Sequence, residues 1–206
     1  MLLTTKTVST LSVEGLSEAI KQHRLTIEDK LSINLTDGTS AVLVPLGYDK
    51  ATGGIVFNFK DCISEHRMNA EWTNAGGYFE SEMRQYLESD ILPLIPEEFA
   101  AHIVPRTIVQ KHKGKTYTMT DKLWLLSEEE VHGKTVWSEP NGETQYPYFA
   151  DRSNRVKTFE NDAAWWWVRS PHRGNSDSFC LVLVGGGADH DYAGTSRDVA
   201  PAFIFI

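Results

Sequence analysis

The densest run of chemically capable side chains in this 206-residue sequence is Asp189-His190-Asp191-Tyr192, which follows the glycine triplet Gly185-Gly186-Gly187. Carboxylates beside an imidazole suggest a metal site or an acid–base pair. Three consecutive polar side chains do not converge on one point unaided, and no further ligand stands at the spacing of a zinc or calcium loop. Cys62 and Cys180 are the only cysteines. Their flanks carry no zinc or disulfide pattern, so they read as buried free thiols, which fits synthesis in a reducing cytosol. The seven histidines form no nucleophile–base arrangement. No catalytic residue, cofactor or metal is therefore expected. As contact residues the run makes better sense: tyrosine supplies area and a hydroxyl at low entropic cost, and His and Asp add directional hydrogen bonds.

The same region stands apart in composition. All 11 Lys, 16 Glu, 4 Gln, 4 Met and 6 Trp lie at or before Trp167, and the 39 residues from Val168 to Ile206 contain none of them. Uniform scatter would place about eight there. These five are the amino acids that no codon of the form N-N-pyrimidine encodes, so an asparagine codon randomised at its two adenines reaches every other type and misses these. A loop region rich in Gly, Asp and Ser with two buried strands also disfavours long charged side chains, which is the plainer reading.

The elements that must position these residues are mixed. Ser12 caps a helix over 13–22, with Leu11 and Leu16 as a hydrophobic staple and Leu16, Ala19 and Ile20 on one face. Strands flank Asp37-Gly38, a strong hairpin signal, and another covers 53–59. Met83, Tyr86, Leu87 and Ile91 fall at helical spacing, and Pro96 opens a second short helix. Two strands turn at Lys113-Gly114, and one helical turn ends at Gly133. Strand-like pieces, SFCLVLV and APAFIFI, surround the loop GGGADHDYAGTSRD. Antiparallel hairpins and helices without regular alternation give an α+β class. The chain divides into an N-terminal arm or helix at 1–28 and one domain at 29–206, with a variable binding region at about 168–206.

Composition sets outer limits on partners. A net charge of −8, with 20 basic against 28 acidic side chains and no Lys/Arg cluster, repels phosphate backbones, so nucleic acid is not expected. No stretch approaches the roughly 18 apolar residues that span a bilayer, and the first residues lack the apolar run of a secretory signal. The expectation is a chain made in the cytoplasm without membrane insertion, acting there, in a phage virion or on a bacterial surface. Self-association into a homo-oligomer stays open.

From Trp165-Trp166-Trp167-Val168-Arg169-Ser170-Pro171, through Ser178-Phe179-Cys180 and Val182, to Val199-Ala200-Pro201-Ala202-Phe203, the sequence resembles C-type-lectin-like variable proteins of bacteria and phages. Their signature runs W-W-x-R-S-P, F-C-x-V and G-V-x-P-A-F. Met68-Asn69, Thr73 to Tyr78, Ser81 to Arg84, Lys122 to Ser127 and Glu130-Val131 match the same family in order, so the resemblance covers roughly residues 30–206. Asp198 departs from it, standing where the family has Gly. The resemblance implies a C-type-lectin-like fold, with two helices, small antiparallel sheets and an irregular binding half. It also implies a non-enzymatic protein that displays a hypervariable surface, diversified by a retroelement, to a protein or cell-surface ligand.

Between the family-like residues stand His172, Arg173, Asn175, Asp177, Leu181, Leu183, Asp189, His190, Asp191, Tyr192, Thr195 and Arg197, the expected ligand-binding residues on one exposed surface. If Cys180 and Val182 face inward, Leu181 and Leu183 face outward; a strand buried on both faces is the alternative. Trp166 and Arg169 read as scaffold, with Arg169 paired below the surface. Glu139-Pro140-Asn141 is the tripeptide of calcium-dependent mannose-binding lectins, but Glu160 stands where those have Trp and their framing disulfides are absent. Two other readings stay open: a structural phage or cell-surface component without a diversified ligand, and an oxidase-like enzyme on the same fold, for which Cys180 lacks a neighbouring partner cysteine.

Overall fold

The computed structural model describes residues 12–206. Fourteen strands carry the architecture of that region. The first sheet has the order β1 (Leu31–Asn34), β2 (Ser40–Tyr48), β3 (Ile55–Phe59), β14 (Ala202–Phe205) and β5 (Ile103–Val104), all antiparallel. The second has the order β12 (Ala188–Tyr192), β11 (Ser178–Val182), β10 (Trp166–Pro171), β13 (Arg197–Val199) and β4 (Ser64–His66). It is antiparallel except where β13 runs parallel to β10. Two ribbons complete the set, β6 (Arg106–His112) with β7 (Lys115–Asp121) and β8 (Thr158–Phe159) with β9 (Asp162–Ala163).

This overturns the expected C-type-lectin-like α+β fold with two helices and an irregular binding half. The described chain is mostly β, with four α-helices: α1 (Val13–Lys21), α2 (Glu82–Tyr86), α3 (Glu97–Ala100) and α4 (Glu128–His132). The long helix expected after Ser81 lasts five residues as α2. The chain then widens into a π turn at Leu87–Ile91 and tightens into a 3-10 turn at Leu92–Leu94. Met83, Leu87 and Ile91 are all buried, so the apolar spacing marks the inward side correctly. Spacing of this kind does not distinguish α from π or 3-10 turns over one or two turns. The stretch GGGADHDYAGTSRD that reads as loop folds into β12, a hairpin partner of β11, and into most of β13, which pairs at long range with β10 and β4.

Local signals place several elements well. The Asp37-Gly38 turn joins β1 to β2 with Gly38 at φ +89°. Lys113 and Gly114 both adopt positive φ at the tip of β6–β7, as a two-residue hairpin turn requires. Ser127 and Glu130 form a reciprocal capping box on α4, and Gly133 closes it in the left-handed region. The Ser12 hydroxyl accepts from Gly15 N–H at the start of α1. Leu11, the other half of the proposed staple, lies outside the described residues. Leu16, Ala19 and Ile20 are buried in the common core, and the Ser17 hydroxyl donates to the Ile206 carbonyl at 2.9 Å. The α1 face is thus part of the core rather than a free arm.

Residues of the C-terminal signature form interior strands of both sheets: β14 between β3 and β5 in the first, and β10 at the centre of the second. Every residue of β10 is buried, as expected of a strand flanked by neighbours and covered on both faces. Trp166 donates its indole N–H to the Arg155 carbonyl at 2.9 Å and packs near Phe149, with the Lys157 ammonium 5.0 Å from its ring centre. That ammonium also donates to Asn58 Oδ1 and to the Phe59 and Lys60 carbonyls. Burial pulls its pKa down to about 8. Cys62 and Cys180 are free and buried, and burial raises both thiols. Trp166→Ala should therefore cost about 3–5 kcal/mol, read as a lower midpoint in denaturant unfolding. An unchanged midpoint would contradict this central placement.

Candidate functional site

The site begins with a buried charge. The Arg169 guanidinium donates to the Leu125 carbonyl at 2.8 Å, to Glu130 Oε2 at 2.5 Å, and to Glu143. Arg106 Nη1 stands 2.8 Å from the other Glu130 oxygen. Burial opposes the Glu130 charge, but Arg169 and Arg106 hold its carboxyl below the usual range, whereas burial raises that of Glu143. The Arg169 backbone N–H donates to Leu126, and its carbonyl accepts from Gln110 Nε2. Gln110 Oε1 in turn accepts from Tyr78 N–H at 2.8 Å. A side chain at Gly77, which has φ +61°, would meet that oxygen at 2.4 Å. Strand β10 is thereby fixed to β6, α4 and the turn at 77–80.

On this frame a loop over 172–178 joins β10 to β11. Asn74 is fully buried and its Nδ2 donates to the carbonyls of His172, Asn175 and Ser178 at 2.8–3.0 Å. Its Oδ1 faces His112 Nε2 and Lys113 Nζ. One amide therefore holds three backbone carbonyls along the loop. Beside it, the buried Glu128 carboxylate accepts from Trp137 N–H and from Ser138 N–H and hydroxyl. That seats Trp137 against His172 (ring centres 5.6 Å) and His190 (5.1 Å).

Strand β12 is the outer edge of the second sheet. Bonds from Leu183 N–H to Gly187 and from Ala193 N–H to Asp177 set the phase of its ladder with β11. By antiparallel alternation, the N–H groups of His190 and Tyr192 point away from β11. Both are taken by the side chain just before them: Asp189 Oδ1 accepts from His190 at 2.9 Å and Asp191 Oδ1 from Tyr192 at 2.7 Å. The outward Ala188 carbonyl faces Trp137 Nε1 at 3.4 Å. This edge is closed to strand addition and presents side chains instead.

The twelve expected residues wrap this edge rather than lying on one face. Arg173, Asn175 and Tyr192 are exposed, and Asp177, Leu183, Asp189, His190, Asp191, Thr195 and Arg197 are half-buried. His190 turns toward Trp137 and His172. Its neighbour Asp191, on the opposite side of the strand, pairs with Arg197 at 2.7 Å, and that guanidinium lies 4.7 Å from the Trp165 ring centre. Thr195 donates its N–H to the Tyr192 carbonyl in the β12–β13 turn. Two positions, Leu181 and His172, are buried against expectation, and Leu183 is only half-exposed. Leu181 is 1% exposed, because β11 lies between β10 and β12 and is covered on both faces, and Leu183 packs on the core. His172 is also buried, its ring turned into its own loop.

Several contact residues escape a sequence reading. Trp72 is 63% exposed and stacks on Tyr192, 46% exposed, with ring centres 4.7 Å apart and planes 12° from parallel. A side chain at Gly194 would strike the Trp72 ring at 2.3 Å, so the glycine makes this stack available. Trp165 is 37% exposed. His66, paired across strands with Arg197, stacks on Tyr86 at 4.0 Å. The only sequence hint for Trp72 is a large aromatic between polar neighbours in Glu71-Trp72-Thr73.

Glu139-Pro140-Asn141 has a different task from calcium binding. Glu139 Oε1 accepts from Lys113 N–H and Asn141 Oδ1 from Lys111 N–H, at 2.9 and 2.6 Å. Both oxygens dock the β6–β7 tip. No group of three or more metal-ligating side chains occurs among the described residues, and no helix there is long and apolar enough to cross a membrane.

Two outcomes follow. Glu139→Ala with Asn141→Ala should lower stability by about 0.5–2 kcal/mol, while a chelator leaves the wild-type melting temperature unchanged; a drop of several degrees with chelator would restore the calcium reading. Asn74→Leu leaves the His172 and Asn175 carbonyls without that donor, while Ser178 keeps the His172 N–H, and should cost about 2 kcal/mol or more; denaturant unfolding reads it, and a loss below about 1 kcal/mol would show that the loop is held otherwise.

No curated protein and no solved structure matches this chain. Residues 53–205, about three quarters of it, match the model of a family described as a domain of unknown function, DUF6273. That span takes in β10 to β14, the Asn74 clasp and the Arg169 network, and the chain belongs to the DUF6273 family.

Proposed function

We propose that this protein is a non-catalytic ligand-binding protein, and that the β12 edge with its flanking loop and turn is its recognition surface. The carrying observation is a partition within the compositionally biased segment. Residues of the W-W-x-R-S-P, F-C-x-V and V-x-P-A-F signature are buried, among them Trp166, Arg169, Phe179, Cys180, Val182, Pro201 and Phe203. Ten of the twelve residues between them reach solvent, His172 and Leu181 being the exceptions. A rigid interior with changeable residues confined to an edge is the arrangement that lets side chains vary without unfolding the chain.

The exposed set also has the chemistry of contact. Tyr192, Trp72 and Trp165 offer broad rings, and Arg197, Asp191, Arg173 and Asn175 offer directed hydrogen bonds. The same partition supports the further reading that the segment was diversified by a retroelement, like the variable proteins its signature resembles. The ligand on this reading is a protein or another cell-surface component.

The direct test is a library randomised at Arg173, Asn175, His190, Asp191, Tyr192 and Arg197 and selected on a purified surface protein. Most members should remain folded, and Asp191→Ala with Tyr192→Ala should shift stability by no more than about 1 kcal/mol. Selected binders should lose binding when positions 191 and 192 become alanine. A library that mostly fails to fold would sink the proposal. The flanking DNA tests diversification separately, through a near-copy of the 3′ end beside a reverse-transcriptase gene.

A further inference from the structure

His172 opens the loop over 172–178, which carries Arg173, Asn175 and Asp177. Its imidazole is turned inward over that loop. Nδ1 accepts two backbone hydrogen bonds, from Gly174 N–H at 2.9 Å and from Asn175 N–H at 2.8 Å. A ring nitrogen that accepts carries no proton, so the proton of this neutral imidazole sits on Nε2. The loop is gripped from outside as well, by the Asn74 amide on the His172, Asn175 and Ser178 carbonyls.

We propose that His172 is an acid-sensitive latch: protonation of its Nδ1 breaks both backbone bonds and releases residues 173–177 from their closed conformation. A proton on Nδ1 would point at two N–H donors, and a flipped ring would offer them only a C–H, so neither orientation restores the two bonds. Trp137 touches the ring face and cannot relieve a conflict at the ring edge. The surroundings also oppose the cation. His190 of β12 lies with its ring centre 4.3 Å away, and Arg173 adjoins it in the chain. Glu128 of α4 and Asp177 on the loop act the other way. The balance, led by burial, holds the imidazole below its ordinary pKa.

The sign follows from linkage. The closed loop binds the proton less well than the open loop, so closure is fully favoured above the ordinary histidine value of about 6.5 and weakens as pH falls below it. The opening equilibrium then gains up to about tenfold per pH unit. The latch itself needs no ligand; only its bearing on recognition rests on the function proposed above, where it would make the Arg173–Asn175–Asp177 part of the surface different in acid and neutral conditions.

Amide hydrogen exchange on the intact chain tests the latch without a ligand. Between pH 7 and pH 5, protection factors at Gly174 and Asn175, corrected for intrinsic exchange, should fall, by at most about tenfold for each pH unit below about 6.5, while Phe57 in the first sheet stays protected. His172→Asn keeps an acceptor near the Nδ1 position but cannot titrate, so its loop should remain protected at pH 5. His190→Gln removes a neighbour that opposes the charge in the closed loop, so the closed loop tolerates the proton better and less protection should be lost at pH 5. Constant protection in the wild type, or an equal loss in His172→Asn, overturns the proposal. If His172→Asn does not fold, a loss of protection at pH 5 in His190→Gln as large as or larger than in the wild type overturns it.

Discussion

The Arg169 guanidinium lies beyond the reach of water, and a charge in that position is tolerable only when opposite charge and acceptors come to it from several parts of the chain. Glu130 comes from α4, Glu143 from the following loop, Leu125 from the segment before α4, and Arg106 from β6 balances the second Glu130 oxygen. Each partner is useless elsewhere. Removing one leaves a buried ion uncompensated, a larger penalty than the pair contributes as a stabilising contact. The network therefore acts more as a specification of which segments meet than as a reserve of stability. Strand β10 is its centre, and both the Asn74 loop and the β12 edge are built outward from β10.

The two-sidedness of the surface follows from its position at a sheet edge. A central strand such as β11 has both sets of side chains covered, which is why Leu181 and Cys180 are equally buried. At β12 there is no further strand, so alternate residues reach solvent on either side: His190 toward Trp137, Asp191 toward Arg197 and Trp165. The rings at Trp72, Trp137 and Trp165 come from three separate parts of the chain. None belongs to the pyrimidine-codon segment, so fixed aromatic ground flanks the residues that differ in composition.

What was legible in the sequence was mostly local. Hairpins at Asp37-Gly38 and Lys113-Gly114, the helical turn ending at Gly133, and the inward side of Met83, Leu87 and Ile91 all depend on residues within a few positions of one another. The pairing of Arg169 was legible because a charged residue inside an aromatic strand has few other fates. Fold class was not legible in the same way. The helical reading over Met83 to Ile91 became a short α-helix followed by π and 3-10 turns. The loop after Val184 proved to hold β12, paired with its neighbour β11, and β13, whose partner β10 lies some thirty residues off, as in the parallel contact of Trp166 with Asp198. Leu181 was misjudged because alternation assumes one wet face. Glu139 and Asn141 look like ligands in isolation, and only the hairpin tip folded against them reveals what their oxygens hold.

The aspartates of β12 carry a consequence for how freely that edge can change. Asp189 and Asp191 each occupy the outward N–H of the next residue with a short side-chain oxygen. A residue of another type at either place, however well it met a ligand, would leave that N–H bare on an exposed strand, which is the template on which a second chain can pair. Colloidal solubility thus limits what these two positions can hold, and it favours short oxygen-bearing side chains: Asp, Asn, Ser and Thr.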